Sequence, residues 1–538
     1  MPRRRPNSRA RRPRPTHALM AGAAALALAV TGCGAKTKDE VAASAATGAG
    51  GTTAAGSDTL TVPYLADMSV PDPDVFYDIE GNSVILNTYE GLVKYAPDST
   101  KIVPALAASF TESSDRLTYT FKLKPGVKFH SGAAMTSKDV KASFERRAKV
   151  GQAPAYMVEP IASMTTPDPL TFVVKLKSPV DPFLAYMASS WGPKVIGPAA
   201  LKTNAGKDFG QKWMRTHEDG TGPFTLTAFK RGRQYTLTRN DAYAGAKPFL
   251  REVNIKIMPD INTQRLELQS GDLDAVLHSF PASELASLPD QLTVQTEPSF
   301  LRLLMYVNTN KAPFDDPAVR RALRSTIDTD QLVTQAYNDT ATKAAGPYPA
   351  ALLTDQPALP YAPDVAAAKA AVAKAKTKKL SMAYTADESG VQRRVSELLQ
   401  AQLTTAGFQV TLKEVQLPQT YAYIEDLKNA PDILLATNTP DAAHPDTWAR
   451  ILFQSKGGLN FLGYTDQALD KALDEALPAT GEEAAALYRN VGQRIIDSDS
   501  MFFLGDVKDV FVLKEGLTGV SHVPAYPWTL DYATLKRG

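Results

Sequence analysis

Cysteine is all but missing: Cys33 is the only one in 538 residues. A single thiol excludes any disulfide within the chain and any thiolate metal cluster. Catalytic signatures are missing too. None of the six histidines lies in an H-E-x-x-H pattern, and His217–Glu218 runs on into Asp219–Gly220. G-x-S-x-G, Walker A and G-x-G-x-x-G are absent. Gly220–Thr221–Gly222–Pro223 puts a proline where a phosphate loop needs an N–H. No metal and no cofactor is implied. After residue 30 no apolar run reaches the roughly 18 residues of a membrane-spanning helix. Charge excess is lacking as well. The formal charge of +2 owes everything to seven arginines in residues 1–17, and without them it is −5. A basic footprint for nucleic acid is therefore absent.

The N-terminus has the order of a secretory signal. Those arginines precede Ala18–Val30, thirteen uncharged residues dominated by Ala and Leu, and then Thr31–Gly32–Cys33. A cysteine directly after the small-residue site resembles a bacterial lipobox, with Val30 and Thr31 as departures from its usual residues. The resemblance implies cleavage after residue 32, lipidation of Cys33 and an extracytoplasmic protein anchored to the cell membrane. Arg11–Arg12 open a twin-arginine export route as the minor alternative. Residues 33–58 are rich in Ala, Gly, Thr and Ser without apolar periodicity, a composition that reads as a flexible leash.

The body of about 480 residues is too long for one core and alternates strand and helix patterns. Strands are predicted at Thr59–Tyr64, Thr118–Leu123, Thr171–Leu176, Tyr235–Thr238, Glu252–Ile257 and Leu303–Val307. Helices are predicted at 82–92, 137–147 with Ser137 as N-cap, 261–269, 316–325, 365–379, 464–477 and 482–497. Leu380–Tyr384, 391–405 and Gln409–Leu412 read as a parallel βαβ unit. Phe502–Phe511 reads as one long apolar β run.

Ordered blocks then resemble a known family. They are Tyr89–Val93, Pro104–Ala107, Tyr119–Gly132, Asp139–Val140 with Ser143–Phe144, Gly220–Phe224 with Arg239–Asn240 and Tyr243, Gly271–Asp274, and Pro313–Asp316 with Val319–Arg320 and Ala322–Leu323. Together they resemble the family 5 extracellular solute-binding proteins, the peptide/nickel class of ABC importer receptors. The resemblance implies an α/β, two-lobed periplasmic-binding-protein-like fold (type II, cluster C) with an extra small α/β domain and a hinge. The expected layout is lobe I at 59–94, 189–299 and 501–538, the extra domain at 95–188, and lobe II at 300–500. It further implies a monomer that closes around a solute and delivers it to an ABC permease with its ATPase subunits, without being an enzyme.

For the ligand, the resemblance implies that the family's W-x-A-D-Y block falls on Asn438–Thr439–Pro440–Asp441–Ala442. Asp441 then takes a peptide's α-amino group, with Asn438 and Thr439 beside it. The family's aromatics are replaced by Asn438 and Ala442, so Trp448, Trp191 and Tyr306 are the candidate aromatic contacts. The expected solute is a peptide or peptide-like molecule. An oligosaccharide receptor is the alternative, and a secreted hydrolase or signalling lipoprotein a further one. His444 is read as a loop histidine in preference to a metal ligand.

Overall fold

The computed structural model describes residues 58–277, 280–387 and 390–538. The signal segment, Cys33 and the leash lie outside the described residues.

Two bodies are built on separate sheets. In the first, Thr59–Tyr64 pairs in parallel with Glu252–Ile257, which continues antiparallel through Gln234–Arg239 to Phe224–Lys230. Leu60 and Val62 alternate into the core, as a half-buried strand requires. A three-stranded sheet adjoins it, with Asp509–Lys514 between Ala275–Leu277 and Leu292–Glu297. A four-stranded antiparallel sheet (Ala107–Glu112, Thr118–Leu123, Thr171–Leu176, Ile161–Asp168) carries the helix Ser137–Val150, where Phe144 meets Phe172 edge-on at 5.3 Å. This sheet shares one continuous core with the first body.

A buried charge cluster reinforces that joint. Arg146 reaches Asp72 at 2.5 Å and Asp74 at 2.6 Å, and Arg147 reaches Asp74 at 3.0 Å. Both arginines also donate to backbone carbonyls, so these dry charges are paired and hydrogen-bonded.

The second body is a six-stranded sheet in the order Ala341–Lys343, Met501–Val507, Arg302–Val307, Ile433–Asn438, Lys379–Thr385, Gln409–Val415. Its central strand, RLLMYV, is buried at every position. Leu304 and Tyr306 enter one core, and Leu303, Met305 and Val307 the opposite one. Helices cover both faces, which is why Leu303–Val307 are apolar, while Arg302 at the strand's start is buried with Asp506 as its partner. Lys379–Thr385 and Gln409–Val415 are parallel and joined by the helix Val391–Ala406.

Several expectations are corrected. The apolar run Phe502–Phe511 is two strands in two sheets: Met501–Val507 belongs to the second body and Asp509–Lys514 to the first. The chain therefore returns at Lys508, after the expected boundary at 501. The other crossing spans residues 298–301. His522 touches both crossings, with Nε2 at 2.9 Å from the Pro298 carbonyl and 3.5 Å from Asp509. The helix expected over 82–92 stops at Thr88, because Tyr89 is extended and Val93 opens a strand. The helix 365–379 ends at Val372, ahead of the strand that begins at Lys379. Thr136, rather than Ser137, caps its helix through a reciprocal box with Asp139.

Candidate functional site

Asp441 lies in the loop between the strand Ile433–Asn438 and the helix Pro445–Phe453. It is 3% exposed, and its carboxylate meets the first body. Tyr77 donates to it at 2.7 Å and Tyr156 at 2.5 Å. Burial pushes the Asp441 carboxyl up to about 6, opposed by the two phenol hydrogen bonds. Among the described residues no lysine, arginine or histidine pairs with it.

The sequence places the two tyrosines by different means. Tyr77 follows the turn in which Val75 and Phe76 donate to the Asp72 carbonyl, and Asp72 is held by Arg146. The indole of Trp191 packs edge-on against Tyr77 at 5.5 Å and donates to the Asp78 carbonyl. Tyr156 stands on the short 3₁₀ stretch Ala153–Val158 and packs edge-on against Tyr186.

A cavity of about 960 Å³ opens beside this carboxylate. The first body lines it with Tyr77, Tyr156 and Tyr186, and the second with Tyr421, Asp441 and Arg450. Its size suits a small organic ligand. Four tyrosines and no tryptophan are among its lining residues. Arg450 is already engaged, at 3.0 Å from Asp446 and 2.9 Å from Asp474.

A second group of contacts fastens the two bodies at the cavity edge. Asp181 accepts from Arg116 at 2.7 Å, and its own N–H donates to the Leu477 carbonyl at 2.9 Å. Arg116 also donates to the Pro478 carbonyl at 2.6 Å. His444 Nε2 is 3.0 Å from Asp181, while its Nδ1 accepts from the Asp446 N–H as the N-cap of Pro445–Phe453. That bond puts the ring proton on Nε2, which donates to Asp181. The hydroxyl of Ser189 donates to the Asp441 carbonyl, and the Ala443 N–H donates to Tyr95 at 2.8 Å.

The candidate residues thus separate. Asp441 is at the cavity. Trp191 lies one contact behind it, supporting Tyr77. Trp448 does not reach it: its helix turns the indole into the second core, where Nε1 donates to the Pro347 carbonyl. Tyr306 is also core, packed on Phe461, and its hydroxyl accepts from Asn438. Asn438 is thereby committed within the second body. Thr439 is buried with an unpartnered hydroxyl. Tyr77 and Tyr156 went unread in the sequence, being 364 and 285 residues from Asp441 with no motif joining them. Both ring nitrogens of His444 are engaged by the protein.

Comparison with known proteins gives a consistent picture. The model for bacterial extracellular solute-binding proteins, family 5 Middle, matches residues 101–460. A probable D,D-dipeptide-binding periplasmic protein, DdpA of Escherichia coli K12, is 30% identical over 458 residues, covering 83% of this chain and 87% of that one. The glutathione-binding protein GsiB of Pectobacterium atrosepticum is 28% identical over 478 residues, 86% of this chain and 91% of that one. Among solved structures, the periplasmic binding protein DppA of Helicobacter pylori, in complex with the peptide STSA, superposes with a TM-score of 0.78 at 23% identity, covering 89% and 98% of the two chains. The fold is accordingly the two-lobed α/β fold of type II periplasmic binding proteins. No helix among the described residues is long and apolar enough to cross a membrane.

Proposed function

The chain belongs to the bacterial extracellular solute-binding proteins of family 5, and on that premise we propose that it captures a short peptide or peptide-like solute bearing a free α-ammonium group. The observation that carries this reading is the Asp441 carboxylate, buried without a basic partner and met by two phenols. Tyr77 and Tyr156 each spend their single proton on the carboxylate. Their oxygens keep lone pairs, so the cluster offers three acceptors to the three N–H groups of an ammonium. Charge-assisted bonds of this kind are roughly twice as strong as neutral ones. The names of the relatives, which bind D,D-dipeptides and glutathione, point to the same solute class.

Capture then couples to geometry. Asp441 comes from one lobe and both tyrosines from the other, with the proposed lobe I and extra domain acting together. A solute that touches all three favours the closed arrangement over an open one. The site is one of binding, and ATP is consumed by the partner permease. Lipidation of Cys33 would hold the receptor beside that permease at high local concentration. Replacing Cys33 by Ala should release the protein from the membrane fraction; retention would refute the anchor.

The solute assignment is tested by calorimetry with di- and tripeptides against their N-acetylated forms. Free-amino peptides should bind and the acetylated ones fail, with compaction seen by small-angle scattering. Equal affinity for both forms, or no binding across the panel, would sink this reading.

A further inference from the structure

A second cavity, of about 290 Å³, lies in the first body behind the segment that meets Asp441. Tyr95, Tyr526, Leu530, Tyr243, Glu90 and Lys194 stand in its wall. Lys194 is 4% exposed. Its ammonium donates to the Ser189 carbonyl at 2.8 Å, and no carboxylate pairs with it among the described residues. Burial, with repulsion from Arg147, brings it down to about 7. Lys94 also stands in the wall, with its side chain exposed to solvent, and the remaining nearby charges are committed. Arg147 is paired with Asp74. Glu90 accepts from Thr221 and Tyr243, and burial pushes its carboxyl up toward the neutral form. Asp531, half-buried in the same wall, accepts from the Ala533 N–H.

An ammonium has three N–H donors, and this one has a single carbonyl acceptor. Burying a cation so poorly matched is costly unless an anion completes it. The cavity offers the room, and its aromatic and aliphatic wall suits an apolar body. We propose that it is a second binding site, for a small organic carboxylate, with Lys194 as the counter-ion.

The site sits one peptide segment from the cleft. The Ser189 carbonyl holds Lys194, while the Ser189 hydroxyl donates to the Asp441 carbonyl. Tyr526 donates to the Ala188 carbonyl of the same segment. An occupant at Lys194 thus braces the stretch on which the second lobe closes.

The probe is benzoate, with benzamide as its uncharged isostere, titrated into the full chain by calorimetry. Benzoate should bind saturably in the millimolar range or better, and benzamide at least tenfold more weakly. Lys194→Met should cost at least tenfold in benzoate affinity while circular dichroism stays unchanged. Should that variant fail to fold, the wild-type pH profile decides. Benzoate stays charged from pH 6 to 9, so its affinity should fall as the ammonium loses its proton above about 7. In crystals soaked with 4-bromobenzoate, the bromine anomalous peak should lie beside Lys194. A flat pH profile, full binding by Lys194→Met, or bromine found only elsewhere would overturn the proposal.

Discussion

Tyr156 donates to Asp441 at 2.5 Å across the cleft, joining a short 3₁₀ stretch of one lobe to a loop of the other. If the resulting cluster is the ammonium site, its members are unequal. Asp441→Asn removes the charge and should lower affinity for a free-amino dipeptide by about a hundredfold, near 3 kcal/mol. Tyr156→Phe and Tyr77→Phe each remove one acceptor and should cost about 1 kcal/mol, roughly fivefold. Calorimetry on the three variants checks the order.

Acidity should oppose binding. The folded Asp441 carboxyl is raised to about 6, above an unfolded value near 3.9. The folded state therefore binds more protons between these values, and without ligand its stability from this group grows as pH falls from about 7 to 4. An ammonium ligand needs the ionised form, so affinity runs the other way and should drop about tenfold between pH 7 and pH 5. Calorimetric titration across this range, paired with melts of the free protein, should show the two opposite slopes.

The contacts at Asp181 lie outside the Asp441–tyrosine cluster yet fasten the same two lobes. Asp181→Asn weakens its bonds to both Arg116 and His444. Peptide affinity should fall several-fold, about 1 kcal/mol for partly exposed charged bonds. The free protein should also show a larger radius of gyration by small-angle scattering.

Stability should be most sensitive at Asp74. Asp74→Ala leaves Arg147 buried without its carboxylate and should cost about 3–5 kcal/mol. The exposed pair Lys141–Glu145 provides the contrast: Glu145→Ala should change stability by less than about 1 kcal/mol. Urea denaturation measures both.

Local pattern made much of this fold legible in the sequence. Alternation located Thr59–Tyr64 and Glu252–Ile257, and the βαβ spacing foretold their counterpart at 379–415. At Gly220 and Gly222 the chain approaches closely enough that a Cβ on either would meet the backbone oxygen of Thr88 or Asn87 within 2.5 Å, a spacing that only the structure reveals. Around Gly132 a Cβ would meet open space, and a φ of +86° is what favours glycine there. Long-range pairing was not legible. Nothing local tells Trp448 that the Pro347 carbonyl awaits its indole, or tells Tyr77 that its hydroxyl meets Asp441. The run at 502–511 misled because apolar content does not reveal which sheet a residue joins.

That run has a mechanical consequence. Lys508 alone separates two strands of different sheets, whereas the other crossing has four residues, 298–301. A change in the angle between the sheets must be absorbed by very few backbone dihedrals at one crossing and by more at the other. His522 ties the two crossings together through Pro298 and Asp509. All three residues sit on the first-body side of the crossings, so these contacts persist when the sheets rotate about the line through Lys508 and Pro298. The two crossings are therefore held side by side at their first-body ends while the lobes move. An inserted residue beside Lys508 would add slack and let Asp441 and the tyrosines Tyr77 and Tyr156 miss each other.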